Sequence, residues 1–245
     1  MALDHALALV LPPGEAVLRL YAWEAPTASF GRNEPAVGRY AREEAEARGV
    51  EFVRRPTGGR VVLHDAEVTY TVVAPQGALG GPRLAYRRIN EALGAALRAL
   101  GASVGLSDAT GVPALDAGPC FQEPAEGEVV ARGRKLVGSA QARIDGALLQ
   151  HGSILLGDSQ AVLDELRPRQ DPGGPGVSGG SGRPATLSAL LPDVGFRAVS
   201  DAVADQMQKT FDGSWRTDDY RQAERDTADR LEAERYGTHA WTWRR

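Results

Sequence analysis

The sequence predicts an α+β fold, a mixed β-sheet flanked by helices. Three observations carry that reading. Segments rich in β-branched and alternating apolar residues recur at 16–23, 50–75 and 128–156. Helical periodicity recurs between and after them, above all at 83–102. The two kinds of segment do not alternate in the regular βαβ order of a parallel sheet.

Each element follows from its own stretch. "MALDHALALVL" places apolar residues at helical spacing until Pro12 and Pro13 stop it. "AVLRLYAW" (16–23) alternates around Arg19 and reads as a strand. "AVGRYAREEAEARG" (36–49) is rich in Ala, Glu and Arg, a helix ended by Gly49. At 50–75, two β-branched runs flank a Pro-Thr-Gly-Gly turn, which gives strand, loop, strand. "RLAYRRINEALGAALRALGA" (83–102) puts Leu84, Ile89, Leu93, Leu97 and Leu100 on one helical face. Residues 128–156 read as strands joined by short turns, and 158–168 as a helix closed by Pro168. The Gly, Pro and Ser of 169–184 predict a mobile loop. Residues 186–237 read as mostly helical, with "HAWTW" as a short terminal strand. The segment after the loop is thin for an independent unit, so 1–245 is expected to be a single catalytic-type domain with an inserted loop.

Composition narrows the function classes. The 245 residues are 42% hydrophobic and 24% charged, the usage of an ordinary globular chain. A net charge of -4 supplies no bulk attraction to nucleic acid or to an anionic membrane. No apolar run is long enough to span a bilayer, and Asp4 and His5 stand where a secretion signal needs basic residues. A single Cys excludes a disulfide framework and fits a reducing compartment, so a cytoplasmic location is expected.

Two residues stand out chemically. Of 28 Lys and Arg residues only two are lysines, Lys135 and Lys209. Lysine is a compact point charge with three rotatable donors, and a site needing one ammonium tip beside a sulfur or a carbonyl oxygen cannot use the wide guanidinium fork. Cys120, the sole cysteine, sits in "DAGPCFQEP", a loop bracketed by Pro and Gly. A lone Cys is commonly an inert buried hydrophobe; a nearby cation such as Lys135 would instead favour its thiolate. "RRPTGGR" (54–60) allows close backbone approach to a ligand, or is a plain turn, and it fits neither the GxxxxGK[ST] nor the GxGxxG phosphate-binding pattern. His64 and His151 have no metal-ligand spacing, so each is a core or a pocket-lining histidine. No GxSxG elbow is present.

Taken together and in order, "RRPTGGRVVLHD", "CFQEP", "GRKLVGSAQ" and "LLQHGSILL" resemble the biotin/lipoate ligase and lipoyl-transferase superfamily. Within it the likeness is to the cysteine-dependent octanoyltransferases, and it runs along essentially the whole chain. The resemblance implies a ligase-type α+β domain and transfer of an octanoyl group from acyl carrier protein to a lysine of a lipoyl domain. That domain would belong to the glycine cleavage H protein or to the acyltransferase subunit of a 2-oxoacid dehydrogenase. Cys120 matches the acyl-thioester nucleophile and Lys135 the lysine that lowers its pKa, with Lys135 and backbone amides stabilising the oxyanion. Arg55, the Gly58-Gly59-Arg60 loop and Gly138-Ser139-Ala140 match the substrate-binding walls of the acyl tunnel, and His64, His151 and Gly152 belong to the same motifs. An acidic carrier would meet an arginine patch, with Arg87, Arg88 and Arg143 as candidates. No cofactor is implied; ATP and Mg would enter only for an ATP-dependent lipoate–protein ligase, in which Cys120 is incidental and an accessory C-terminal domain is common. A lipoyl amidotransferase and an idle carrier-binding protein are further alternatives. Departures from the pattern are Gly127, where relatives carry an aromatic, the long Gly/Pro loop, and Met1 standing already inside the first motif, so that the start is expected upstream.

Overall fold

The computed structural model describes residues 1–109, 119–168 and 183–245, so all of the predicted mobile loop except residues 183 and 184 lies outside the described residues. The chain opens with α1 (Ala2–Leu9), β1 (Val17–Tyr21), β2 (Thr27–Phe30) and α2 (Arg42–Ala47). Next come β3 (Glu51–Arg54), β4 (Val62–His64), the long β5 (Glu67–Pro75) and α3 (Pro82–Ala99). After β6 (Gly105–Leu106) and a 3-10 turn at Cys120–Gln122 follow β7 (Val129–Ala131), β8 (Arg134–Lys135), β9 (Val137–Ile144) and β10 (Ala147–Leu155). The remainder holds α4 (Val162–Glu165), α5 (Phe196–Thr210), α6 (Gln222–Leu231), a π-turn at Glu232–Tyr236, and α7 (His239–Thr242).

Three sheets result. The largest is antiparallel, in the order β1-β5-β10-β9. Its β9–β10 hairpin turns through Asp145 and Gly146, both at positive φ (45° and 81°), a two-residue turn whose twist matches the strands. That turn fixes the register that sets Ala140 opposite His151 and Ser139 opposite Gly152. A slip of one residue would turn every side chain to the other face. The second sheet, β3-β2-β4, is mixed: β2 runs parallel to β3 and antiparallel to β4. The parallel pair needs a crossover, and residues 31–50 with α2 supply it. The third sheet, β6-β7-β8, is a small antiparallel flap whose last two strands also join through a two-residue turn at Arg132 and Gly133.

The core lies between the large sheet and α3. Ile89, Leu93 and Leu97 are completely buried against Val129, Leu136, Val137 and Ile154, and α5 covers them with Val199, Val203 and Met207. Each such side chain contributes about 1.5–3 kcal/mol through burial. α1 lays Leu7 and Ala8 on Val73 and Leu149, while its Ala6 faces Leu231 and Tyr236.

The structure corrects several expectations. Leu84 does not reach the core; it is 46% exposed and its side chain shields Gly80. The helix predicted at 36–49 covers only Arg42–Ala47, because the Ala36 and Val37 amides bond to the Arg245 carbonyl instead. The 158–168 helix is a single turn, Val162–Glu165. "HAWTW" is α7 and not a strand: the Thr238 hydroxyl accepts from the Trp241 amide as an N-cap. β2 escaped the pattern because all four of its residues are buried, which removes the alternation. Gly127 sits at a φ of +75°, which suits glycine, and its amide donates to the Ser107 carbonyl. Among the described residues no helix is long and apolar enough to cross a membrane.

Candidate active site

β8 ends the flap on Lys135, and the 3-10 turn that begins at Cys120 stands against it. The Lys135 ammonium donates to the Cys120 sulfur at 3.3 Å and to the Cys120 carbonyl at 3.1 Å, and it forms an ion pair with Glu128 Oε1 at 2.8 Å. Three acceptors thus surround one ammonium, which as a cation has no lone pair to offer. Burial alone would lower the Lys135 pKa, but the sulfur and the Glu128 carboxylate outweigh it and hold the group above its ordinary value. A cation in this position stabilises negative charge on the sulfur. The stem of Lys135 fits only because Gly138 lacks a side chain: a Cβ there would lie 2.9 Å from the Phe121 ring and 3.2 Å from Lys135 Cε.

The glycine loop at 54–60 holds Cys120 from the other side. Glu34 accepts from the Gly31 amide at 3.0 Å and the Val61 amide at 2.9 Å, and the Val61 carbonyl accepts from the Cys120 amide at 2.9 Å. That last bond commits the Cys120 N–H, so this amide is not free to serve an oxyanion. The Arg55 guanidinium is buried and donates to the carbonyls of Ser29, Gly58 and Arg60 and to the Ser29 hydroxyl. Burial pushes its pKa down, opposed by the nearby Cys120 sulfur and the Glu34 carboxylate. The loop packs so closely on β2 that a Cβ on Gly31 would meet the Gly59 oxygen at 1.7 Å.

Between these parts opens a small cleft. Of the residues singled out in the sequence, Cys120, Arg55, Gly59, His64, Gly138, Ser139, Ala140, His151 and Gly152 border it. Gly58 and Arg60 are not among its walls; their carbonyls hold Arg55.

The bordering residues that sequence reasoning missed are Met1, Ser29, Val62, Thr69 and Ser153. Behind the walls it also missed Asp4, Glu67, Tyr70 and Glu128. None of them carried a distinguishing local signal: Asp4 and Tyr70 meet their partners across long stretches of chain, and Glu67 and Glu128 are acidic residues among many.

Two Ser/Thr–His–carboxylate relays flank the cleft. In one, Ser29 Oγ lies 2.7 Å from His64 Nε2, and His64 Nδ1 lies 2.8 Å from Glu67 Oε1. In the other, Thr57 Oγ1 is 2.7 Å from His151 Nε2, and His151 Nδ1 is 3.1 Å from Asp4 Oδ2. A carboxylate at Nδ1 fixes the neutral ring with its proton there, so Nε2 accepts from the hydroxyl. Burial lowers the His151 pKa against the opposing pull of Asp4.

Residues 1–208 match the lipoyl protein ligase A/B catalytic domain. The octanoyltransferase LipM of Kyrpidia tusciae is 46% identical over 178 residues, 68% of this chain and 65% of that protein. A LipM of Moorella thermoacetica is 45% identical over 64% of this chain and 60% of its own length, so the match spans less than two thirds of these two relatives. The LipM of Symbiobacterium thermophilum is 34% identical over all of this chain and 93% of its own length. Among solved structures, a lipoate protein ligase of T. acidophilum with bound lipoic acid superposes with a TM-score of 0.84 at 23% identity, covering 100% of this chain and 92% of that one. A bi-partite lipoate protein ligase with its E2 lipoyl domain from Thermoplasma acidophilum gives 0.81 at 22% identity, covering 99% and 89%. These structural likenesses establish the fold; the sequence match establishes that the chain belongs to the lipoyl protein ligase A/B catalytic domain family.

Proposed function

We propose that this protein is an octanoyltransferase that moves an octanoyl group from acyl carrier protein to a lysine of a lipoyl domain, through a thioester on Cys120. The observation that carries the reading is the Cys120 sulfur at the wall of the cleft with the Lys135 ammonium 3.3 Å away. Relatives named octanoyltransferase LipM support it, and the T. acidophilum ligase solved with its E2 lipoyl domain supports a lipoyl domain as acceptor.

In the first step the Cys120 sulfur attacks the carrier thioester; a C–S bond to Cys120 forms and the carrier sulfur leaves. Lys135, already aimed at the sulfur, is the cation nearest the developing negative charge. Exchange of one thioester for another is nearly neutral, so this step needs no nucleotide. In the second step the acceptor ε-amine attacks the acyl-Cys120 carbonyl and forms an amide, which is strongly downhill. Of the arginines expected to meet the acidic carrier, Arg88 is stacked on Phe211, while Arg87 and Arg143 are exposed.

The test is the intact mass of the protein after mixing with octanoyl-carrier protein in the absence of ATP. An octanoyl adduct that hydroxylamine removes and Cys120→Ala abolishes supports the thioester. No adduct, together with activation of free octanoate or lipoate on adding ATP, overturns it in favour of a ligase.

A further inference from the structure

The second step of the proposed transfer has an unassigned proton. The acceptor lysine arrives as an ammonium at neutral pH, and only its free amine attacks a thioester. Lys135 cannot take that proton, since it is held as an ammonium between Cys120 and the Glu128 carboxylate and has no lone pair. Glu128 is committed to Lys135 and to the Ala125 amide. His151 borders the cleft, but its Nε2 faces Thr57, which does not.

The other relay differs, because both Ser29 and His64 border the cleft. The Ser29 hydroxyl has one proton and two lone pairs. Its proton points to His64 Nε2 at 2.7 Å, and one lone pair accepts from Arg55 Nη1 at 3.1 Å. One lone pair remains for a group in the cleft. The His64 ring is fixed by stacking on Trp23 (4.4 Å, 13°) and by Glu67 Oε1, which also accepts from the Thr69 and Ser153 hydroxyls. Of the groups around this relay, Glu67 and Arg55 carry charge, and Trp23, Thr69 and Ser153 do not.

We infer that Ser29 and His64, oriented by Glu67, form the proton relay that frees the acceptor lysine for attack. The inference rests on the transferase reading above. Ser29 Oγ takes a proton from the lysine ammonium while handing its own to His64 Nε2, which leaves a neutral amine and an imidazolium beside the Glu67 carboxylate. The amine then forms the C–N bond, the C–S bond to Cys120 breaks, and the second amine proton goes to the departing sulfur. The imidazolium returns its proton to water. Ser29 touches the substrate; His64 and Glu67 act through it.

The experiment follows the two half-reactions separately in Ser29→Ala and His64→Gln, with octanoyl-carrier protein as donor and a lipoyl domain as acceptor. Acyl-enzyme is isolated, and its discharge is timed with the lipoyl domain and, separately, with hydroxylamine, which is uncharged at neutral pH and needs no base. Discharge to the lipoyl domain is expected to slow by about a hundredfold or more in both variants, the usual scale of general-base catalysis, while discharge to hydroxylamine persists at the wild-type rate. Lysine transfer at the wild-type rate overturns the relay. So does a parallel loss of acylation and of hydroxylamine discharge in both variants, which marks a structural role. No adduct on the wild-type protein overturns the transferase reading, and the relay with it.

Discussion

Lys135 answers why a chain that writes nearly every cation as arginine keeps a lysine here. Three acceptors converge on one nitrogen, and Phe121 and Gly138 leave no width for a guanidinium. Lys135→Met removes the cation and leaves the 3% exposed Glu128 buried without its partner. Breaking a buried ion pair in this way costs about 3–5 kcal/mol. Urea unfolding is expected to show that loss, and Lys135→Met/Glu128→Gln to recover most of it, while both variants remain poor at forming the octanoyl adduct. Cys120 and Lys135 were legible in the sequence because each is rare in this chain. Glu128, the third member, was not, since nothing local sets it apart from the other acidic residues.

Among the elements, β9 and β10 place the cleft wall, and glycine decides how closely they sit. A Cβ on Gly152 would lie 2.1 Å from the Gly138 oxygen and 2.7 Å from the Tyr70 ring. Gly152→Ala therefore has to part the strands beside Ser139, which Tyr70 and Asn90 hold by hydrogen bonds. Destabilisation of about 1–3 kcal/mol, the ordinary cost of overpacking, is expected in thermal or urea unfolding, with octanoyl transfer reduced more than stability. α3 was legible because eighteen residues repeat one pattern and its buried face faces one core. β2 and α7 were not. The first is buried on both faces, and the second alternates like a strand while a threonine cap and the Trp241 bond to the Arg54 carbonyl wind it into a helix.

In the molecule as a whole, α1 ties the large sheet to the last helices. Asp4 bridges Arg19 and His151, and His5 bonds the Tyr236 hydroxyl at 2.9 Å. Burial, aided by nearby arginines, pushes the His5 pKa down from 6.5 to about 4. Burial works against the Asp4 carboxylate, yet its partners hold it well below the usual carboxylate range. Both groups act in one direction. Between pH 6.5 and about 4 the unfolded chain binds a proton at His5 that the folded one refuses, and below the ordinary Asp range it gains one at Asp4. Stability is therefore expected to fall as pH drops from 7 to 4, read as a falling urea midpoint, and His5→Gln to flatten that fall. Contacts of this kind join residues 147 and 231 positions apart. No spacing rule reaches so far, which is why the Thr57–His151–Asp4 relay stayed invisible in the sequence, and the Ser29–His64 contact, 35 residues apart, was hidden for the same reason.

If Cys120 carries the octanoyl group, as proposed above, the locked ammonium of Lys135 has a further consequence. The ammonium beside that sulfur is itself a lysine, the type of group that the proposed transfer acylates. Held charged by Glu128, it has no lone pair to offer, and the acyl group is preserved from migrating irreversibly from sulfur to nitrogen within the enzyme. Glu128→Gln loosens that protection. Incubated with octanoyl-carrier protein, this variant is expected to accumulate a one-octanoyl adduct on Lys135 that hydroxylamine no longer removes, a slow self-inactivation visible by peptide mass mapping.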